Sequence, residues 1–263
     1  MKKEIMEQRN VHKYEVDSFV EVEDTVATEY PLTIMVNGEE FATMVCTPEH
    51  LEELVIGFMA SEGLIHFLDE VKSLQVDEGQ GFAYVELTKK VHLHQEGHSK
   101  RFIGSCCGKS RQFYFQNDVR TAKTIRTETT LSVQACMDLM SNMQGTSSNF
   151  HKTGGLHNAA LCTTDDLVVS YSDIGRHNAL DKIYGYCLKN RISLRDKVIA
   201  FSGRISSEVL LKVSKIGVGI ILSKSAPTTL ALDLADDLGI TTVGFIRGNR
   251  LNVYTHHNRI YES

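Results

Sequence analysis

KVIAFSGRISSEVLLKVSKIGVGIILSKSAPTTLALDLADDLGITTVGFIRGNRL, residues 197–251, alternates between two patterns. Lys197–Phe201, Val218–Leu222 and Ile240–Phe245 are short runs rich in β-branched and aromatic residues. Between them, Ser206–Ile216 and Thr228–Leu238 carry helical patterns. Upstream, Leu167–Tyr171 and Asn178–Leu188 repeat the alternation. Strands alternating with helices predict an α/β fold on a largely parallel sheet. In such a sheet the strand–helix turns gather at the carboxyl edge, where ligands bind.

The first half reads differently. Phe19–Val26 alternates like a strand. Leu32, Ile34 and Val36, then Phe41, Thr43 and Val45, flank Asn37-Gly38. Asn-Gly between β-rich runs predicts a hairpin, because both residues tolerate positive φ. Thr47-Pro48 is expected to open a helix, with threonine as N-cap and proline at the first helical position. Leu51, Leu54, Val55, Phe58 and Met59 form one apolar stripe along it, and Gly63 is its expected C′ residue. Ser73–Val76 and Phe82–Leu87 are expected strands, and Arg111–Phe115 alternates like another. Residues 1–115 are therefore expected to form a smaller, mostly antiparallel β domain with one helix. The polar segment Asn117 to Thr130 lacks apolar periodicity and marks the boundary, leaving 116–263 as the larger α/β domain. Ser132 is positioned to cap a helix bearing Val133, Cys136, Met137 and Met140, whose methionines suit a core.

Composition narrows the function classes. The 263 residues are 42% hydrophobic and 23% charged, with a formal net charge of −5, which is ordinary for a globular chain. No basic run points to nucleic acid. Met1-Lys2-Lys3-Glu4 leads into polar sequence, so no signal peptide is expected, and the apolar run near Val218 to Leu222 is too short to span a bilayer. Six cysteines, scattered except for one adjacent pair, fit reduced thiols in a cytoplasm better than a disulfide framework.

Three turns in the second half are rich in small, polar and cationic residues. Ser202-Gly203-Arg204 follows one strand, Ser223-Lys224-Ser225-Ala226-Pro227-Thr228 ends the next, and Phe245-Ile246-Arg247-Gly248-Asn249-Arg250 ends a third. Each turn before a helix is expected to offer hydroxyls, a cation and backbone N–H groups, which suits a phosphate. Helix capping alone would account for either turn singly. Together, Arg204, Lys224, Arg247 and Arg250 on one sheet edge predict a large anion site.

The chemistry of Gly104-Ser105-Cys106-Cys107-Gly108-Lys109-Ser110 is of another kind. Glycines bracket two adjacent thiols and predict a mobile loop, while Lys109, Arg101 and Arg111 favour thiolate, the nucleophile and soft metal ligand. Gly108-Lys109-Ser110 ends like a P-loop, but Ile103 stands where its first glycine is required. Adjacent cysteines lack the spacing of a structural zinc site, so no zinc is expected. His151-Lys152-Thr153-Gly154-Gly155-Leu156-His157 and Asp173-Ile174-Gly175-Arg176-His177-Asn178 add histidines that could bind metal, shuttle protons or serve structure. Asp173 is a candidate helix cap, a Cys–His hydrolase using Cys107 with His157 or His177 is conceivable, and Asp233, Asp236 and Asp237 read as a solvated face.

Taken together the motifs resemble the FdhD/NarQ family of formate dehydrogenase accessory sulfurtransferases. The resemblance rests on Glu29-Tyr30-Pro31-Leu32, Val36-Asn37-Gly38, Gly57-Phe58-Met59-Ala60-Ser61-Glu62-Gly63 and Thr153-Gly154-Gly155-Leu156-His157. Asp173-Ile174-Gly175-Arg176-His177-Asn178-Ala179, Ser202-Gly203-Arg204 and Ser225-Ala226-Pro227-Thr228 extend it over nearly the whole chain. It implies a larger domain similar to the cytidine deaminase fold, an α/β/α sandwich, without the deaminases' zinc signature. It implies a cytoplasmic sulfur carrier that takes sulfur as a persulfide from a cysteine desulfurase of the IscS type. That sulfur passes to the molybdenum bis(molybdopterin guanine dinucleotide) cofactor, bound as substrate, before formate dehydrogenase receives it. A homodimer is the expected assembly. The family's loop usually reads C-G-x-C, and Cys107-Gly108-Lys109-Ser110 falls on it. Cys107 takes the carrier's place, Cys106 is an additional thiol, and Ser110 replaces the second cysteine. The family's cofactor-contacting segment falls on Ile246 to Leu251, within the third turn; Phe245, Ser202, Gly203, Arg204 and Ser225 complete the expected binding set. A non-catalytic chaperone that holds the molybdenum cofactor is the alternative.

Overall fold

The structure is a computed structural model that describes residues 3–89, 101–103, 122–146 and 154–262. Strands β1 (Met6–Glu15) and β2 (Ser18–Ala27) pair along their whole length as an antiparallel hairpin. Only β2 is legible in the sequence. Both strands are largely exposed, so no buried face imposes alternation on β1. Strands β3 (Tyr30–Val36) and β4 (Glu39–Cys46) form the hairpin that Asn37-Gly38 predicts, with φ of 51° and 85° at the turn.

Helix α1 (Leu51–Ser61) begins later than Thr47-Pro48 predicts. His50 is its N-cap, in the left-handed region and without a side-chain cap bond. Thr47 is engaged elsewhere: its N–H donates to Asp173 Oδ2 at 3.1 Å, and its Oγ1 accepts from Ile174 N–H at 3.0 Å. The helix ends as expected, with Gly63 at φ 76°. The expected apolar stripe is only part of its buried surface, since Ile56, Gly57, Ala60 and Ser61 are buried too.

Strands β5 (Val71–Asp77) and β6 (Phe82–Leu87) form a second hairpin. Strand β7 (Arg101–Ile103) completes a sheet of order β5-β6-β3-β4-β7. Pairing is antiparallel within each hairpin but parallel between β3 and β6 and between β4 and β7. Antiparallel pairing predominates in this half, and the two shorter parallel ladders between the hairpins are what the sequence does not show. The crossover through α1 is long enough to return the second hairpin in parallel, which a tight turn cannot do.

The second half begins with β8 (Leu131–Ser132) and α2 (Val133–Thr146), whose Ala135 N–H donates to Ser132 Oγ at 3.0 Å, as a cap should. There follow β9 (His157–Cys162), β10 (Leu167–Asp173), α3 (Arg176–Lys189), β11 (Val198–Phe201) and α4 (Ser207–Ile216). Next come β12 (Ile220–Ser223), α5 (Thr229–Leu238), β13 (Thr241–Arg247), β14 (Arg250–Val253) and β15 (Ile260–Tyr261), which pairs with β8. The main sheet has the order β10-β9-β11-β12-β13-β14. Strands β10, β11, β12 and β13 run one way, and β9 and β14 oppose them.

Alternation along β11 shows how the layers form. Val198 and Ala200 meet Cys136, Leu139, Met140 and Met143 of α2 on one face. Ile199 and Phe201 join Leu180, Ile183, Val209 and Leu210 of α3 and α4 on the other. That second core is continuous with Leu32, Ile34 and Met44 of the first half. The join is α1 against α3, where a Cβ on Gly57 would lie 1.8 Å from Asp181 O and one on Gly185 1.9 Å from Glu53 O. Ser61 Oγ donates to Asp181 Oδ1 at 2.7 Å, and Lys215 Nζ donates to Ser61 O at 2.8 Å. The Gly57–Gly63 motif thus serves helix packing. The expected boundary at 115/116 lies outside the described residues, as does the expected strand Arg111–Phe115. Downstream, Ile125 N–H donates to Leu238 O at 2.7 Å, fastening the polar segment to the second half.

Candidate functional site

Four parallel strands bring the carboxyl ends of β10, β11, β12 and β13 to one edge of the main sheet, together with the amino end of antiparallel β9. The three turns singled out in the sequence lie side by side there. Ile205 and Pro227 form a bridge between the first two. Ser223 Oγ donates to Gly203 O at 2.8 Å and accepts from Ser225 N–H at 2.9 Å. The third turn joins through Phe245 N–H to Ser225 O at 3.3 Å and Arg247 Nε to Lys224 O at 3.2 Å.

This lacing corrects one expectation. Several turn amides are engaged within the protein: Ser202 N–H with Asn158 O at 3.0 Å, Ile205 N–H with Ala226 O at 3.1 Å, and Ser225 N–H with Ser223 Oγ. Adjacent loops on a crowded edge satisfy one another's buried backbone groups. Ser202 Oγ likewise accepts from Asn158 N–H at 2.9 Å. An anion at this edge would therefore be met mainly by side-chain cations.

Those cations are on the surface. Arg204, Arg247, Gly248, Asn249 and Arg250 are exposed, whereas Ile246 is buried and Leu251 packs against the core, leaving those two only backbone to present. Lys224 Nζ reaches Gln144 Oε1 at 3.4 Å. Arg247 and Arg250 are register partners across the β13–β14 turn. Like charges opposed in a ladder are destabilising, a cost that a bound anion would offset. Phe245 sits at φ 54°, where the β13–β14 register slips, with its ring exposed and the Arg247 guanidinium 5.9 Å from the ring centroid. A bulky residue held in the left-handed region costs about 1–3 kcal/mol, and such strain concentrates at ligand sites.

The opposite end of the edge is built around Asp173. Its carboxylate is fully buried, 2.7 Å from the equally buried Lys182 Nζ. It also accepts from Thr47 N–H, from Gly175 N–H at 2.8 Å and from Asn178 Nδ2 at 2.8 Å. Asp173 is therefore a structural knot between the halves, and Gly175 is the N-cap of α3. Beside it, His157 is the register partner of Asp173, and His177 Nε2 lies 3.5 Å from Glu208 Oε2. A Cβ on Gly203 would sit 3.5 Å from His157 Nδ1, an ordinary contact, which places the imidazole beside this turn; the close approach that requires the glycine is that of the Phe201 ring, at 2.9 Å. Burial, then Arg176 and His177, hold the His157 pKa below the ordinary histidine value against a smaller opposing effect of Asp173. Sequence reading noted both histidines without placing them together. Of the residues that lace the turns, Ser223 belongs to the second turn singled out in the sequence, whereas Asn158 carried no signal beyond a polar residue at a strand end.

Cys106, Cys107 and Ser110 lie outside the described residues, as do His151, Lys152 and Thr153. The other cysteines, Cys46, Cys136, Cys162 and Cys187, are all buried. Burial raises each thiol, to about 12 for Cys136, Cys162 and Cys187. Strand β7 pairs Ile103 with Met44, so the chain enters the cysteine segment running in parallel with β4, which itself ends beside Thr47 and Asp173. Asp233, Asp236 and Asp237 are exposed on α5, as expected. Among the described residues, no group of three or more His, Cys, Asp or Glu side chains is arranged to hold a metal ion.

Comparison with known proteins agrees with the motifs. The FdhD/NarQ family profile matches residues 27–261. The chain belongs to the FdhD/NarQ family. Its FdhD/NarQ relatives include "Sulfur carrier protein FdhD" of Geobacillus kaustophilus, 61% identical over 96% of both chains. The protein of that name in Bacillus subtilis is 58% identical over 97% of both. A crystal structure of a candidate formate dehydrogenase accessory protein from Desulfotalea psychrophila superposes with a TM-score of 0.82 at 25% identity, covering 98% of this chain and all of that one. The FdhD/NarQ fold therefore extends across both sheets.

Proposed function

We propose that this chain is a cytoplasmic sulfur carrier serving formate dehydrogenase, with Cys107 as the carrier. One observation bears most of the weight. Of six cysteines, four are buried with thiols raised far from reactivity, which leaves thiol chemistry to Cys106 and Cys107, whose sequence neighbours are basic. In the first step the Cys107 thiolate attacks the outer sulfur of a desulfurase persulfide. The new S–S bond forms as the old one breaks, and the desulfurase cysteine leaves as thiolate. The outer sulfur would then pass to the bis-guanine-dinucleotide molybdenum cofactor, bound as substrate: the Cys107 S–S bond breaks, Cys107 leaves as thiolate, and the reduced metal of that substrate supplies the two electrons that bring the sulfur to the sulfide level.

The sheet edge supports the second half of this reading. Arg204, Lys224, Arg247 and Arg250 supply charge for phosphates, and the strained Phe245 supplies an aromatic face. Cys107 is four residues beyond Ile103, a tether of at most about 14 Å. The α2 and α3–α4 layers on either side of the main sheet support a cytidine deaminase-like sandwich for the larger unit. A homodimer is the assembly we assign.

The test is to incubate the protein with an IscS-type cysteine desulfurase and cysteine and to follow added sulfur by mass. Wild type and Cys106→Ala should gain sulfur and activate formate dehydrogenase. Cys107→Ala should do neither. Sulfur on Cys107→Ala with activation intact would overturn the assignment. Activation that needs no cysteine at all would instead make the chain a chaperone for the cofactor. For the nucleotide site, calorimetry should find GDP bound, and Arg247→Ala weaker by about 1.5–3 kcal/mol, the worth of a charged hydrogen bond.

A further inference from the structure

Two histidines, His157 and His177, take no part in the sulfur chemistry of Cys107. His157 opens β9 and lies beside Gly203 of the Ser202–Arg204 turn, and His177 lies in the first turn of α3. That first turn holds Arg176 and His177 and no acidic residue. Cations at the amino end of a helix face the positive end of its dipole, an unfavourable placement. The groups around His157 can be named by element. Arg176 and His177 come from α3, and Asp173 comes from β10 with its oxygens engaged by Lys182, Thr47, Gly175 and Asn178. Helix α4 contributes Glu208, which faces His177. Two cationic side chains of α3 thus stand beside His157, while Asp173, its carboxylate neighbour, is already engaged by four donors.

We propose that His157, with Arg176 and His177 beside it, is a second anion contact for the ligand of this edge, meeting a phosphate oxygen at the end opposite Phe245 and Arg247. The inference rests on the nucleotide-site reading. Strands β9 and β13 are three ladder steps apart, about 14 Å. A base stacked at the β13 end would direct its diphosphate along the edge toward β9. This also fixes the direction in which an elongated ligand lies, its far end toward β10 and Thr47.

The chemistry has a signature. In the free protein the imidazole is held toward its neutral form. An adjacent phosphate favours imidazolium, so binding takes up a proton at this site. GDP should therefore raise the titration midpoint of His157, read from its imidazole resonance by NMR. Calorimetry with GDP should show His157→Gln weakened at least tenfold at pH 6 and less at pH 8. Its proton uptake should be smaller than that of wild type. His157→Asn is the second variant should glutamine lower the melting temperature. A His157 midpoint unmoved by saturating GDP, with unaltered affinity in the variants, overturns this inference. If Arg247→Ala still weakens GDP in that case, the nucleotide site stands without it. Failure of wild type to bind GDP overturns both.

Discussion

Asp173 and Lys182 show how much one residue pair can decide. Both side chains are inaccessible, and the aspartate joins β4, β10 and α3 through four donors. Removing one partner of a buried pair leaves an uncompensated charge and typically costs about 3–5 kcal/mol. Lys182→Met should lose that much in denaturant unfolding. Asp173→Asn combined with Lys182→Met should recover part of it, because the amide no longer brings a charge. Equal losses in the single and double variants would show that the charge is not the issue. The sequence displayed Asp173 as a helix cap, and geometry makes it something else, because the lysine that answers it lies nearly two turns into α3, on its buried face, and looks solvated on paper.

At the scale of elements, the meeting of α1 and α3 depends on two missing side chains. Alanine normally favours a helix over glycine by about 1 kcal/mol. At Gly57 and Gly185 the added methyl would overlap a carbonyl of the partner helix. Overpacking of this kind costs about 1–3 kcal/mol, occasionally more. Gly57→Ala and Gly185→Ala should therefore destabilise, while Gly145→Ala in α2, with nothing within 4 Å, should stabilise by about 1 kcal/mol. Thermal melts of the three variants would check the contrast, and a stabilised Gly57→Ala would contradict the crossing. Elements with one buried face were legible: the Asn37-Gly38 hairpin, α4, α5 and the strands between them. Those without that contrast were not. Strand β1 is exposed nearly throughout, and β9 is small-residue sequence buried almost throughout, so neither alternates. For the site, the three turns were legible as turns. Their mutual lacing, the strain at Phe245 and the approach of His157 to Gly203 were not, because each depends on strands that are neighbours only in space.

Across the whole molecule, one apolar core runs from Tyr30 to Ile240. Two sheets that share a core through α1 and α3 have no plane along which to separate. Hydrogen exchange should accordingly give the amides of Leu32 and Ile34 the same opening free energy as those of Ile199 and Ile221. A lower value for the first pair would mean that the first half unfolds by itself, as two independent domains would. The same union bears on function. The β7 strand that leads to the cysteines belongs to one sheet and the candidate anion edge to the other. The shared core would then set the distance that the proposed carrier covers.

The α1–α3 crossing also sets a timetable. Ser61 and its partner Asp181 are 120 residues apart. A ribosome adding about 5–20 residues per second takes roughly 6–24 s to supply the second after the first. Until then the flank of α1 at Gly57 has no helix to lie against, and Leu54, Phe58 and Met59 beside it belong to an unfinished core. The newborn first half must therefore wait, partly uncovered, for the second. Truncated or stalled chains ending before α3 should be the aggregating species and the ones that chaperones hold.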